Sequence, residues 1–317
     1  MGSAPGATSY TEQQDRPGDG ISPRRRMARR FLAELRKDNL GDWAAALTYY
    51  AVLSSLPALL VLTSLLGAIG PSLTEPVLRE VSDLAPGPAH AWITRVLTAV
   101  ERRHTAAGIV GTLTLIWAAS RYAAAFIRAM NAVYDVPEGR PTRLLLPLRI
   151  GLTVLTLLMV STAAAVVVLS GRLADRVGVA LGVGHSAVTA WQWGKWPLLL
   201  LLAGLLIALL YWAAPNARQP FRWGTPGGLV AVAVWGAAST AFAYYAAHFG
   251  SYDRVYGSLA AAITFLIWVW LANLALLLGA ELNAEWERER AIAQGHPADQ
   301  EPYMPLRSAV RIHDDAL

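Results

Sequence analysis

"WAASRYAAAFIRAMNAVYDVPEGRP", Trp117–Pro141, decides the fold. Its apolar start continues a run that opens at Gly108, and the whole is long enough to cross a hydrocarbon core of about 30 Å, which takes roughly 20 helical residues. Arg121 stands inside that run, with Arg128 and Asp135 following at intervals of seven. "YDVPEGRP" then turns the chain into the next apolar stretch.

The rest of the chain fits this reading. Of 317 residues, 55% are hydrophobic and 15% charged, and the mean hydropathy of +0.37 is too high for an ordinary soluble domain. Six segments have crossing length: Leu47–Ile69, Gly108–Tyr134, Pro147–Ser170, Trp196–Ala214, Pro226–Phe249 and Ser258–Ala280. The expected fold is an all-α integral membrane bundle of six transmembrane helices, with interfacial helices on its outer side. The absence of cysteine excludes disulfides and thiolate chemistry but leaves the redox compartment open. The first 46 residues are polar and lack a cleavable signal pattern, so the first crossing is expected to be its own insertion signal.

Lys and Arg set the orientation. With Arg149 taken with the second-to-third loop, 17 lie on the side of the termini and 8 on the other, which predicts cytoplasmic termini. The net charge of +5 is read as topology and lipid contact, not nucleic-acid binding. Residues 1–28 are expected to form a disordered basic tail, 29–290 the membrane domain and 291–317 a second disordered tail. Between the first two crossings, Trp92, Ile93, Val96, Leu97 and Val100 share one helical face, the pattern of an interfacial helix. Thr225 is the expected N-cap of the fifth crossing with Pro226 at its first position, and Ser239, Ala243 and Ala247 form a small-residue stripe for close packing.

Counting depth at about 1.5 Å per residue brings the polar residues into two levels. Arg121 and Asn273 lie at nearly equal depth in two helices that run the same way, with Tyr49 and Tyr50 of the first helix slightly closer to the cytoplasm. One turn further down, Arg128, Asn131 and Asp135 meet Glu281, Glu285 and Asp42, and Arg128 or Arg140 is the expected partner of Glu281 or Glu285. Because an arginine at the centre of a crossing costs about 2.5–3.5 kcal/mol on insertion scales, Arg121 is expected to face the bundle interior. Two roles compete there: packing through hydrogen bonds to carbonyls, Asn273 or a tyrosine, or bidentate binding of an oxyanion head group in a cavity. Arg121, Arg128, Asn273, Tyr49 and Tyr50 are the candidate head-group residues. Asp42, Asp135, Glu281 and Glu285 are the candidate charge network. On the outer side, Tyr252, Asp253 and Tyr256 form a candidate turn or gate. His90, His104, His185 and His248 lack a metal-binding spacing, and no nucleotide loop, zinc helix or nucleophile elbow occurs, so no metal, cofactor or catalytic residue is expected.

Four stretches, "ALTYYAVLSSLPALL", "GIVGTLTLIWAASRYAAAFIRAMNAVYDVPEGRP", "LLYWAAPNARQPFRWGTPGG" and "FGSYDRVYGSLAAAITFLIWVWLANLALLLGAELNAEWER", closely resemble the YihY/BrkB family of bacterial inner-membrane proteins over about Asp38–Arg290. The resemblance implies six helices, cytoplasmic termini and a place in the inner membrane. It also implies an envelope role: serum resistance, envelope integrity and lipid or lipopolysaccharide-precursor export attach to the family, beside an old ribonuclease BN label. That label fits poorly with cytoplasmic turns that hold no metal-binding cluster. The expectation is a non-enzymatic envelope protein that handles or transports an anionic lipid or amphiphile, with an envelope scaffold as the alternative. Its expected partners are membrane lipids and other envelope proteins; oligomeric state, substrate and energy source stay open.

Overall fold

The computed structural model describes residue 30 and residues 38–69, 104–168, 185–248 and 258–310. Six helices occur among the described residues: α1 (Leu40–Ile69), α2 (His104–Val133), α3 (Thr142–Val168), α4 (His185–Ala213), α5 (Pro226–His248) and α6 (Ser258–Ala293). Among the described residues, five stretches are long and apolar enough to cross a membrane: Ile109–Val133, Thr142–Val167, Thr189–Ala213, Pro226–Tyr244 and Ala262–Ala293. The expected first crossing falls within α1, which is not among these five. The expected interfacial helix before α2, the N-terminal tail and the turn carrying Tyr252, Asp253 and Tyr256 lie outside the described residues.

The core belongs mainly to α1, α2 and α6. Ala44, Leu47, Ala118, Ala125, Phe126, Ala129, Met130, Leu277 and Ala280 are all buried, and the alanines let the helix backbones approach closely. Direction follows from the contacts. Arg30 meets Glu289 and Thr48 meets Asn273, so partner numbers in α6 fall as those along the N-terminal segment rise, and α1 runs antiparallel to α6. Tyr122 reaches Asn273, while Asp135 shares a cavity wall with Glu281 and Glu285; α2 therefore runs parallel to α6. By contrast, α3 and α4 leave Leu144, Leu146, Val154, Leu158, Leu200 and Leu201 exposed, as helices facing hydrocarbon do.

α5 is held against α6 at its start. Thr225 Oγ1 accepts from Gly228 N at 3.1 Å, the expected N-cap. Asn283 of α6 then bridges the cap, accepting from Gly227 N at 2.8 Å and donating to Thr225 Oγ1 at 2.8 Å. Further along, Trp268 Nε1 donates to Ser239 Oγ at 3.2 Å, so the small-residue stripe of α5 meets α6 at its first member.

The tail expected to be disordered from residue 291 is different. α6 continues to Ala293, and the following segment to residue 310 docks on the loops that end α2 and α4. Ala217 and Leu306 form an antiparallel bridge, and Arg218 N and Arg307 N donate to Pro305 O and Asn216 O at 2.8 and 2.9 Å. The composition of "HPADQEPYMP" rules out a helix, but an extended segment whose backbone groups find partners across the loops needs no helix to be ordered.

Candidate functional site

α2 carries two faces. Ala118, Ala125, Phe126, Ala129 and Val133 are buried, whereas Val110, Leu113, Trp117, Arg121 and Arg128 are exposed and recur at intervals of three, four, four and seven. Arg121 thus stands on the exposed stripe, beneath exposed apolar residues. This corrects the expectation that it points into the bundle. Its guanidinium lies over the Trp117 ring, 5.4 Å from the centroid, a contact one turn up the same face. Beside it, Arg149 of α3 donates from Nε to Ser120 O at 2.7 Å, which fixes the arginine across the α2–α3 groove.

The interior polar contact expected of Arg121 is made by its neighbour. Tyr122 donates to Asn273 Oδ1 at 2.8 Å, Asn273 Nδ2 donates to Thr48 Oγ1 at 3.2 Å, and Thr48 Oγ1 donates to Ala44 O at 2.7 Å. This chain ties α2, α6 and α1 together in the core, and every buried group in it has a partner. Tyr49 is 62% exposed and packs edge-on against half-buried Tyr50, with ring centroids 5.2 Å apart. Neither tyrosine shares the outward face of Arg121 on α2.

The acidic residues of the expected network are partly brought together. Glu281 and Glu285, each 2% exposed, line a small cavity with Asp135, Arg288 and Tyr303. Glu285 faces Arg288 at 3.8 Å within α6. Asp42 is exposed in the first turn of α1, and Arg128 is exposed on α2. Asp135 also shapes the backbone. At φ 47° it ends α2, with its own N–H donating to Ala132 O and Val136 N–H donating to Asn131 O. That is a helix stop which only glycine, asparagine and aspartate adopt readily.

Arg140, buried between loops, takes Glu138 as a partner. Its Nε and Nη2 donate to the two Glu138 oxygens at 2.7 and 2.6 Å, and Nη2 also donates to Ala214 O at 2.9 Å. Burial pushes the Glu138 carboxyl up, but hydrogen bonds and charge from Arg140, with the Asn131 amide, outweigh it and hold it below the usual carboxylate range. Asn131 Oδ1 accepts from Asn216 N at 2.8 Å. Asn216, fully enclosed, donates to Pro137 O and Ser308 O at 3.0 and 2.9 Å and accepts from Ser308 N at 3.2 Å. Arg307 donates from Nε to Ala217 O at 2.8 Å and from Nη2 to Trp212 O, its guanidinium lying over the Trp212 ring. The loop after α2, the loop after α4 and the C-terminal segment are thereby locked into one unit. Sequence reasoning missed Asn216, Arg307 and Arg149.

A family model described as Virulence factor BrkB matches residues 31–303, a range that includes the start of the docked segment. The ribonuclease-like protein YfkH of Bacillus subtilis is 30% identical over 261 residues, covering 80% of this chain and 92% of that protein. A UPF0761 membrane protein of Alkalilimnicola ehrlichii is 31% identical over 302 residues, covering 89% of this chain and 62% of its own length. Another, from Ralstonia nicotianae, is 30% identical over 279 residues, and this chain spans 59% of it. No solved structure matches. With its apolar helices and a family match over most of its length, this membrane protein belongs to the BrkB virulence-factor family.

Proposed function

We propose that this membrane protein handles an anionic lipid or amphiphile of the bilayer, binding its head group at Arg121 and moving or presenting it, as a plasma-membrane component of the cell envelope. The observation that carries the reading is the placement of Arg121 on the exposed apolar stripe of α2, with no carboxylate partner among the described residues. An arginine facing hydrocarbon costs about 2.5–3.5 kcal/mol on insertion scales. A bound oxyanion offsets that cost through two parallel charge-assisted hydrogen bonds. The head group then approaches sideways from the lipid, so no enclosed cavity at Arg121 is required.

A scaffold role is the second reading, favoured by the interlocked loops and the docked C-terminal segment, which make a rigid end suited to holding a partner. The ribonuclease-like name belongs to YfkH and is not carried over to this chain.

Arg121→Leu and Arg121→Lys separate the readings. In native mass spectrometry from lipid nanodiscs, Arg121→Leu is expected to keep its abundance and melting temperature and to lose about tenfold or more of its anionic-lipid occupancy, the loss of one to two charged hydrogen bonds. Arg121→Lys, with the charge but not the fork, retains part of it. A leucine variant that carries as much anionic lipid as the parent removes the head-group reading and leaves the scaffold.

A further inference from the structure

Three arginines lie along the exposed side of α2 and its contact with α3. Arg121 and Arg128 lie on one stripe of α2, seven residues and so about 10 Å apart along the helix. Arg149, half-buried on α3, bonds Ser120 O beside Arg121 and lies within electrostatic reach of both Arg121 and Arg128. Among the described residues, no carboxylate forms an ion pair with any of the three. Like charges gathered against hydrocarbon repel one another and lack water to screen them, so each raises the cost of the others. A single phosphodiester neutralises one of the three. A head group with two or more negative charges neutralises most of the cluster, and the spread along α2 leaves room for two oxyanion groups.

We propose that Arg121, Arg128 and Arg149 form one head-group site that selects lipids bearing at least two negative charges on phosphate. The site lies in the α2–α3 groove and is entered from the bilayer. It rests on the reading of Arg121 as a head-group ligand and adds its selectivity and two further ligands. Arg121 binds from above, with Trp117 holding its guanidinium from behind. Arg128 binds from below, and Arg149 bridges them, with its Nε spent on Ser120 O and its terminal nitrogens left for the ligand.

The test titrates the full-length protein in detergent with zwitterionic phosphatidylcholine, singly charged phosphatidylglycerol and doubly phosphorylated cardiolipin. Free pyrophosphate is the competitor, and bound lipid is counted by native mass spectrometry. Cardiolipin is expected to bind about tenfold more tightly than phosphatidylglycerol, since each added charged hydrogen bond contributes about 1.5–3 kcal/mol, and millimolar pyrophosphate is expected not to displace it. Arg149→Gln should weaken cardiolipin binding about tenfold and so erase the difference between the two anionic lipids. Because Arg149→Gln also removes the bond to Ser120 O and could unfold the groove, Arg128→Gln repeats the measurement at a residue that holds no helix in place; it too should erase the preference. Equal affinity for the two anionic lipids, with binding still lost in Arg121→Leu, overturns this selectivity and leaves the Arg121 reading standing. Equal affinity for all three lipids overturns both. Displacement by pyrophosphate shows a site for a free anion and overturns the lipid assignment.

Discussion

At Glu138 burial and pairing act in opposite directions, and pairing wins. The carboxyl is only partly shielded, yet it receives two side-chain bonds and the backbone N–H of Arg140 together with the amide of Asn131. Its folded-state value is therefore depressed from the ordinary 4.5. A depressed carboxyl contributes stability that is fully present above the unfolded value and is lost as pH falls through the folded one. Glu138→Gln is accordingly expected to lower the detergent melting point at pH 7 by the equivalent of about 1 kcal/mol, the net worth of a weakened charged bond. The gap between parent and variant should close as pH drops below about 4.5. A gap that stays constant from pH 7 to pH 3 would show that Glu138 acts by shape alone. The sequence displays Glu138 and Arg140 as two charges in a turn, and no periodicity rule pairs residues two apart. The same limit hid Arg149. Counted only as a topology charge, it reaches from α3 across to α2.

Helix identity and order were legible from apolar run length, because that property is local to each segment. Which face a helix buries was not, and α2 shows why. The cost of lipid exposure argues for an inward Arg121, but the small residues Ala118, Ala125 and Ala129 form the buried face of α2, and burying them sets the rotation of the helix. Arg121 is then carried outward by the geometry of its neighbours. Packing between α5 and α6 had the same blind spot. The Ser239 stripe was visible as a repeat, whereas a close approach also lies at Gly227 and Gly279, single glycines with no repeat to mark them. A Cβ on Gly279 would sit 2.4 Å from Gly227 O and 2.6 Å from Tyr211 Oη. Gly279→Ala is thus expected to destabilise the protein by about 1–3 kcal/mol through overpacking. Gly236→Ala, where a Cβ meets nothing within 4 Å, should be neutral or stabilising by up to about 1 kcal/mol. Melting curves of the two alanine variants that coincide would mean that α5 and α6 are not in contact at Gly279.

For the molecule as a whole, the end where α2, α4 and α6 close is built as a solid unit. The buried residues cluster where α2 and α6 end, and there the loops after α2 and α4 and the segment to residue 310 lock together through Asn216, Arg140 and Arg307. The position of the N-terminal segment decides the number of crossings. Arg30 pairs with Glu289 at 3.3 Å, which places the chain before α1 at the same end as the close of α6. If that end is cytoplasmic, as the Lys and Arg bias predicts, α1 must cross as well, giving six spans, one more than the five found among the described residues. The cysteine-free sequence makes the test clean. Single cysteines replacing Gly20, Arg218 and Glu301 are expected to resist a membrane-impermeant maleimide in intact spheroplasts and to react after lysis, whereas cysteines replacing Gly184 and Asp253 should react without lysis. Labelling of the Gly20 variant in intact cells, with the Glu301 variant protected, would put the two termini on opposite sides. That outcome would reduce the protein to five crossings and break the Arg30–Glu289 pair, since no side chain spans the roughly 30 Å between the two surfaces.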